Sequence, residues 1–359
     1  MPEMWTIEMS TDIERQGEVA RKLEADGWDG MAVCDAQNVS PEPYVALTVA
    51  ALSTSTLKLG IGVSNPTTRH PSLAAATAAS VQRVAGNRLV LSIGRGDASN
   101  VHIGLSPLRV EEFDRYLDLL NRYLNGAPIS LHEAAQFTNG AVPVEKLDMA
   151  AMPEISELRW RRPTDTPVVL EVVGSGPRVL DVAAVRADRP MIAVGAVPER
   201  VEWAVARIRQ TREEHGLSRD CPLGLYVNVA VHDDSAVARD MISGALASTA
   251  RFSVMHGSIN GPVDSKAEKI LKGIHEQYDF NGHGTKGSSQ SKLLDDEFIT
   301  GYGIAGTADH CIARLQELFS LGIDKVVVFP FGWGADDNDV ERHHTLMAGE
   351  VLPALKVTA

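Results

Sequence analysis

Short apolar runs alternate along the chain with amphipathic stretches of helical periodicity. Runs that are rich in Val, Ile and Leu and bounded by turn-forming residues are typical of buried β-strands. Eight such runs occur, at 5–9, 30–35, 57–63, 88–94, 168–174, 191–196, 223–231 and 325–332. Because strands and helices alternate, we expect βα units with a parallel sheet. Eight units predict a closed, TIM-like (β/α)8 barrel rather than an open, doubly wound sheet.

Three amphipathic stretches carry signals for the ends of their helices. The helix after the first strand is predicted to end before Gly27, because glycine readily adopts the left-handed conformation beyond a last turn. Pro71 suits the first turn of the helix after the third strand, and Gly86 ends that helix. Thr307 is the expected N-cap of a late helix that stops at Gly322. These signals support the predicted alternation.

Two segments interrupt this alternation, at 126–166 after strand 4 and at 251–300 after strand 7. The first contains several prolines and has little strand character or helical periodicity. The second contains the Gly/Ser-rich stretch 281–291, which is either a lid that orders over a ligand or a disordered surface loop. His256 and His283 lie in this second insertion, and the sequence leaves their roles open. We predict one barrel domain over the whole chain, with insertions on two βα loops.

Composition and charge limit the partners of the protein. Hydrophobic residues make up 44% and charged residues 23% of the chain, which is typical of a soluble globular protein. The formal net charge of −13 argues against non-specific binding to nucleic acid or to anionic membranes. Cys34, Cys221 and Cys311 show no disulfide or metal spacing. With no signal-peptide pattern and no long apolar run, we predict a cytoplasmic, soluble protein.

Polar and glycine-rich residues follow strands 2 to 5, at the strand ends where barrels carry their active sites. They are Asp35, Gln37 and Asn38 after strand 2; Asn65, Thr68, Arg69 and His70 after strand 3; Gly94, Arg95, Gly96, Asp97, Ser99 and Asn100 after strand 4; and Gly174, Ser175 and Gly176 after strand 5. His70 directly precedes Pro71, so it either caps that helix or donates a hydrogen bond to a ligand. No set of His, Cys, Asp and Glu has the spacing of a metal site, and no metal is predicted.

Two glycine-rich turns have the features of anion sites. Backbone N–H groups at 174–176 can approach a phosphate closely, and Pro177 begins a helix whose positive end lies at the same place. Arg95 would neutralise a phosphate or carboxylate, or else pair with a neighbouring acidic residue. Asp97 would accept a hydrogen bond from a sugar or ribityl hydroxyl. A dinucleotide fingerprint is disfavoured, because Val179 stands where its third glycine belongs.

The stretches 34–99, 172–201 and 295–328 resemble the luciferase-like superfamily of flavin- and deazaflavin-dependent oxidoreductases. The most similar branch is that of methylenetetrahydromethanopterin reductase. This resemblance implies a TIM-like barrel that holds reduced F420 or, alternatively, FMN at the C-terminal ends of its strands. It also implies a non-prolyl cis peptide between Gly62 and Val63, behind the redox ring. Around the ring and the substrate it places Ser64, Asn65, Thr68 and His70.

The resemblance also implies roles for the other candidates. The turns Gly94–Asp97 and Gly174–Gly176 would hold the cofactor phosphate. Asp35 would lie beside the substrate, with Gln37 and Asn38 orienting it through hydrogen bonds. Several F420-dependent relatives have a histidine directly after this aspartate, whereas Ala36 follows here. Oxidation of a sugar phosphate, which some relatives perform, is therefore not expected.

The activity that the resemblance implies is hydride transfer between F420 and an electrophilic small molecule, such as an imine, iminium or enone. One alternative is an FMNH2-dependent monooxygenase that uses O2 and receives reduced flavin from a reductase partner. Another is a flavin-binding barrel without turnover. A metal-dependent hydrolase or isomerase lacks candidate ligands. Relatives often dimerise through helices beside strands 2 and 3, and the small, apolar stretch 73–81 is compatible with a homodimer.

Overall fold

The computed structural model describes residues 1–9, 12–137, 140–329 and 331–357. The strands within these residues are β1 (Glu3–Glu8), β2 (Gly30–Val33), β3 (Lys58–Ser64), β4 (Leu89–Ile93), β5 (Ile129–Ser130), β6 (Ile155–Ser156), β7 (Val169–Gly174), β8 (Arg189–Ile192), β9 (Gly224–Val231), β10 (Ile304–Gly306) and β11 (Lys325–Phe329). The helices are α1 (Gln16–Ala25), α2 (Pro43–Ser53), α3 (Pro71–Val84), α4 (Ala98–Val101), α5 (Val110–Leu124), α6 (Leu131–Ala134), α7 (Pro177–Arg186), α8 (Pro198–Glu214), α9 (Ser235–Ala250), α10 (Ser265–Gln277), α11 (Asp296–Tyr302), α12 (Ala308–Ser320), α13 (Asp337–Leu346) and α14 (Leu352–Val357).

All eight predicted strands are found, as β1, β2, β3, β4, β7, β8, β9 and β11, but β8 ends at Ile192, four residues before the predicted end of that strand at 196. Each is followed along the chain by at least one helix, so the structure has the predicted βα alternation. The last strand ends at Phe329, earlier than expected, and Pro330 lies outside the described residues. The sequence did not predict β10, a short strand that pairs in parallel with the end of β9.

The predicted helix ends are also confirmed. Gly27, Gly86 and Gly322 all have positive φ, at 88°, 60° and 91°, beyond the ends of α1, α3 and α12. The side chain of Thr307 caps α12 by accepting a hydrogen bond from the backbone N–H of His310. Pro71 is the first residue of α3. Local turn chemistry therefore determines these boundaries.

The chain divides into two compact units. The first consists of 1–9, 21–32 and 172–357, and the second of 12–20 and Val33–Glu171. In the first unit, β9 pairs in parallel with β8, β10 and β11, and β11 pairs with β1. A core beside this sheet forms where α9, α10 and α11 bury side chains such as Ile242, Leu271 and Phe298. The helices of the second insertion, α10 and α11, therefore share a buried core with α9.

The second unit contains β3 and β4 as a parallel pair, with α2, α3 and α5 packed around it. Its buried apolar residues include Leu59 and Ile61 on β3, Leu91 on β4, and Phe113 and Leu117 on α5. The register of the β3–β4 pair shifts between Ile61 and Ser64. This irregularity lies at the C-terminal end of β3, where the candidate site residues begin.

The two insertions contain more regular structure than the sequence indicated. Segment 126–166, apart from residues 138 and 139, which lie outside the described residues, forms α6 and the antiparallel pair β5–β6. Segment 251–300 contains α10 and α11, capped by Asp264 and Asp295. The amide of Gln290 is buried and donates to the carbonyls of Asp279 and Gly282, so the C-terminal end of 281–291 is packed against residues 279–282. Among the described residues, no helix combines the length and apolarity needed to cross a membrane.

Candidate active site

Asp35 is the centre of a buried polar cluster at the C-terminal ends of β2 and β3, within the second unit. Its Oδ1 accepts a hydrogen bond of 2.8 Å from the amide of Gln37. Its Oδ2 accepts bonds of 2.7 Å from the hydroxyl of Ser64 and from the guanidinium of Arg69. The Asp35 side chain is only 2% exposed, so these three donors replace the water that a carboxylate would otherwise bind.

Arg69 connects this cluster to α2. One terminal nitrogen of its guanidinium pairs with Asp35, and the other lies 2.5 Å from Glu42, whose carboxylate caps α2. Burial is the largest single influence on the pKa of Arg69 and lowers it, but the two acidic partners together outweigh burial, and the pKa is raised. Burial also raises the pKa of Tyr44, whose ring lies 5.2 Å below the guanidinium carbon.

The end of β3 contains the predicted non-prolyl cis peptide, between Gly62 and Val63. Ser64, the next residue, donates to Asp35 and accepts the N–H of Gly94 at its backbone oxygen, 2.9 Å away. The structure therefore brings together the strand ends that carry Asp35, Ser64 and Gly94, as the sequence analysis expected.

Asn65 organises the loop after β3. Its side-chain oxygen accepts hydrogen bonds from the backbone N–H groups of Thr67 and Thr68, and its amide donates to Gln37 at 3.1 Å. Asn65 is 1% exposed, which means that the loop and the Gln37 side chain have a fixed mutual position. By contrast, Asn38 is exposed and donates to the backbone of His102 instead of joining the cluster.

His70 caps α3, the structural role that the sequence analysis weighed against a ligand contact. Its Nδ1 accepts the backbone N–H of Ser72, and its Nε2 lies 2.9 Å from the carbonyl of Ala134. A neutral imidazole protonated at Nε2 satisfies both contacts. Both ring nitrogens of His70 therefore bond to the protein itself, and its catalytic role stays a prediction.

The turn after β4 is joined to the loop after β3. Gly96 has φ +82°, and a Cβ there would lie 2.6 Å from the amide nitrogen of Asn100, so a larger residue would displace this side chain. Asn100, fully buried, donates 2.9 Å to the hydroxyl of Thr67. The side chain of Arg95 donates to the carbonyl of Leu108, 2.6 Å away. Asp97 directly precedes α4.

The turn Gly174–Gly176 belongs to the first unit. Ser175 donates 3.1 Å to the carbonyl of Phe252, and a Cβ at Gly176 would lie 3.3 Å from the amide nitrogen of Asn260. Gly176 is the N-cap of α7 and has no side chain to accept a hydrogen bond; its carbonyl accepts from the N–H groups of Val179 and Leu180, and Pro177 has no N–H. The contacts of Ser175 and Gly176 with Phe252 and Asn260 place the start of the second insertion against this turn.

Arg200 fixes this part of the insertion. It is 1% exposed, and its guanidinium donates to the carbonyls of Val194, Asn260 and Pro262 and to the hydroxyl of Ser253. Ser253 is also hydrogen-bonded to Tyr302. Arg200 has no local signal in the sequence, because three of its four partners follow 53, 60 and 62 residues later.

Glu8, at the end of β1, is a titratable residue that the sequence analysis did not consider. Burial raises its pKa from 4.5 to about 7, so it changes protonation near neutral pH. The signal was present in the sequence as a single acid at the end of an apolar strand.

Within the described residues, no group of three or more His, Cys, Asp and Glu side chains is placed to hold a metal ion. Cys34 has a pKa raised to about 11 by burial, which makes it a poor nucleophile.

Comparison with known proteins connects this geometry to a family. Residues 3–325 match the family described as "Luciferase-like monooxygenase". A 5,10-methylenetetrahydromethanopterin reductase of Methanopyrus kandleri is 26% identical over 356 residues, covering 93% of this chain and 92% of the relative. Another, of Archaeoglobus fulgidus, is 28% identical over 346 residues, covering 93% of each chain.

A solved structure with a similar fold is the coenzyme F420-dependent tetrahydromethanopterin reductase of Methanopyrus kandleri. It aligns with a TM-score of 0.73 and 22% identity over 99% of both chains. This similarity, together with the eight parallel strands and their helices, confirms the predicted fold class, a TIM-like (β/α)8 barrel.

Proposed function

The chain belongs to the luciferase-like monooxygenase family, and from this premise we propose that it is an oxidoreductase that transfers a hydride between coenzyme F420 and an electrophilic small molecule. Two reductases of methylenetetrahydromethanopterin resemble it over more than nine-tenths of its length. A structure with the same fold is described as F420-dependent. The observation that carries the proposal is the buried cluster of Asp35, Gln37, Ser64 and Asn65, which suits orientation of a substrate.

The charges of the cluster favour a cationic or neutral substrate over an anionic one. The carboxylate of Asp35 is paired with the guanidinium of Arg69, and Glu42, whose side chain is 44% exposed, adds one negative charge at the edge of the cluster. Attraction between opposite charges is strong in a partly desolvated site. An iminium or imine therefore suits this cluster better than a carboxylate or phosphate substrate.

The residues present fit a cofactor of this class. Bound F420 would supply the hydride chemistry. We place its ring beside the Gly62–Asn65 segment, with Thr68 and His70 in the loop that follows. For the phosphate we propose the turns Gly94–Asp97 and Gly174–Gly176, supported by the position of Gly176 at the N-terminus of α7, the positive end of that helix.

The chain's own side chains would then bind and orient. Gln37 and Asn38 would hold polar groups of the substrate, and Asp35 would keep Gln37 and Ser64 in place. The hydrogen bond from Asn65 to Gln37 limits the rotation of the Gln37 amide. Such positioning can contribute a large part of a rate enhancement.

Cofactor titration tests the proposal. Purified apoprotein is titrated with F420 and, separately, with FMN, and binding is followed by fluorescence quenching. We expect micromolar or tighter binding of F420 and reduction of an iminium test substrate by F420H2. Micromolar binding of FMN without binding of F420 would contradict the proposal and favour the second candidate below.

The second candidate is an FMNH2-dependent monooxygenase, supported by the description of the family itself. It would require O2 and a partner reductase that delivers reduced flavin. Stopped-flow oxidation of bound FMNH2, with and without candidate substrates, distinguishes it from a flavin-binding barrel without turnover. A rate that no substrate changes would favour the barrel without turnover.

We further propose that the chain forms a homodimer through α2 and α3 and acts in the cytoplasm. Apolar side chains on these helices are exposed, among them Val45, Leu52 and Leu73, and Leu52 is 76% exposed. Such exposed patches mark association sites. Light scattering after size exclusion should give twice the mass of the chain, and Leu52→Glu should halve it. Leu217→Glu, at an exposed leucine of the first unit, is the control.

A further inference from the structure

We propose that Arg69 is a positioning residue that fixes the Gly62–Asn65 segment through Asp35. The inference rests on the proposed function only where it predicts an effect on cofactor binding, because this segment is where we place the F420 ring. Its structural part, the fixing of the segment, stands on the contacts of Arg69 alone.

The guanidinium of Arg69 is engaged on both sides. It lies 2.7 Å from Asp35 and 2.5 Å from Glu42, and the Arg69 side chain is 13% exposed. Asp35 is almost fully buried. A buried ion pair resists the loss of one member, because the remaining charge is left without a partner. Arg69 is therefore a structural partner of Asp35 and not a group held ready for a ligand.

Asp35 transmits this constraint to the end of β3. The oxygen that accepts from Arg69 also accepts from Ser64, which directly follows Val63. The other oxygen accepts from Gln37, which in turn accepts from Asn65. Two residues next to the cis peptide thus depend on one carboxylate, and the position of that carboxylate depends on Arg69.

The backbone of Arg69 is held separately. Its carbonyl accepts a hydrogen bond of 3.0 Å from the hydroxyl of Tyr116 on α5. This contact is retained when the side chain is changed. Substitution of Arg69 therefore tests the guanidinium and leaves an anchor of the loop in place.

The experiment compares Arg69→Met with Arg83→Met in the full-length protein. Arg83 also pairs with an aspartate, Asp165, but it lies on the outside of α3, where a third of its side chain is exposed. Hydrogen–deuterium exchange of residues 59–70 is measured without cofactor, and the Kd for F420 is measured by fluorescence quenching. Arg69→Lys, which keeps the charge, is included in case the methionine variant does not fold.

For Arg69→Met we expect about tenfold faster exchange, confined to 59–70, and about tenfold weaker F420 binding. Arg69→Lys should lie between this variant and the wild type, whereas Arg83→Met should stay within about twofold of the wild type in both measurements. In a double-mutant cycle, Arg69→Met should add little to the effect of Asp35→Asn on exchange and on F420 binding, since both substitutions break the same connection between Arg69 and the end of β3.

Three outcomes would overturn the inference. One is wild-type exchange at 59–70 in folded Arg69→Met; another is an equal rise in exchange over β4 and α3, which would indicate general destabilisation. The third is additive effects of Asp35→Asn and Arg69→Met. If the wild type binds no F420, the proposed function fails, and the exchange measurement still decides the role of Arg69.

Discussion

Replacement of Glu8 by glutamine should remove a defined pH dependence of stability. Burial of Glu8 at the end of β1 raises its pKa from 4.5 to about 7. The folded chain therefore keeps this proton up to about pH 7, whereas the unfolded chain loses it near pH 4.5. The free energy of unfolding then falls as the pH rises through this window. The stabilisation is complete below pH 4.5 and lost above pH 7.

The size of the effect follows from the shift. At 1.36 kcal/mol per pKa unit, the change from 4.5 to about 7 corresponds to roughly 3 kcal/mol. Because Glu8 keeps some contact with water, we expect about 1–3 kcal/mol. Glutamine has nearly the same shape and cannot ionise, so Glu8→Gln should lose this dependence.

Urea unfolding at several pH values between 4.5 and 8 measures it. The difference in unfolding free energy between wild type and Glu8→Gln should decrease by about 1–3 kcal/mol across this range. Glu18→Gln, at an exposed carboxylate on α1, provides the control and should show no such trend. If the wild-type and Glu8→Gln profiles run parallel, Glu8 is not buried as described and the reasoning is wrong.

Two further substitutions test packing in the first unit. Gly30→Ala should lower the free energy of unfolding in urea by about 2–3 kcal/mol, because a Cβ there would lie 2.4–2.7 Å from the ring of Trp5. The control is Gly301→Ala, on α11 with open space around it, which should be neutral or stabilising. Equal effects of the two substitutions would refute this prediction. Arg200→Met should increase hydrogen exchange over 251–262 and destabilise the chain by about 3–5 kcal/mol, because four acceptors lose their donor. Arg219→Met, at an exposed pair with Glu213, is its control; unchanged exchange over 251–262 would show that Arg200 does not hold the insertion.

The strands were predictable because each contains a run of apolar residues, as expected for strands that are buried in a barrel. β9, for example, is buried at all of its positions, as expected for a strand covered on both faces. Helix ends were predictable where a single residue type decides them, as at Pro71, Thr307 and the glycine that follows α12. The helix α10 was missed, because the Gly/Ser-rich stretch that follows it dominated the interpretation of the second insertion.

The site was predictable only in part, because its contacts join residues far apart in sequence. Asp35 was singled out from its position after a strand and Ser64 from the family resemblance, but their hydrogen bond spans 29 residues and has no local signal. Arg69 was noted only as one polar residue among several, since its partners lie 34 and 27 residues earlier. The positions of Ser175 and Gly176 against the second insertion likewise arise from packing and not from a motif.

The state of these side chains favours an iminium over an enone as substrate. The carboxylate of Asp35 accepts hydrogen bonds from three side chains, and both ring nitrogens of His70 are bonded to the protein. Ala36 follows Asp35 in place of an acid or base, so none of these positions offers a free proton donor. Hydride addition to an iminium carbon gives a neutral amine and needs no proton. Hydride addition to an enone gives an enolate that must be protonated.

We therefore expect the proposed F420-dependent activity to show a higher kcat/KM for a cationic iminium than for an enone of equal size. With the iminium, kcat in D2O should equal kcat in H2O within about twofold, because the substrate would take up no proton and the one proton that F420H2 loses with its hydride would pass to water. Uncharged analogues of the iminium serve as the matched substrates. A large solvent isotope effect with the iminium, or an equal kcat/KM for the enone, would contradict this reasoning.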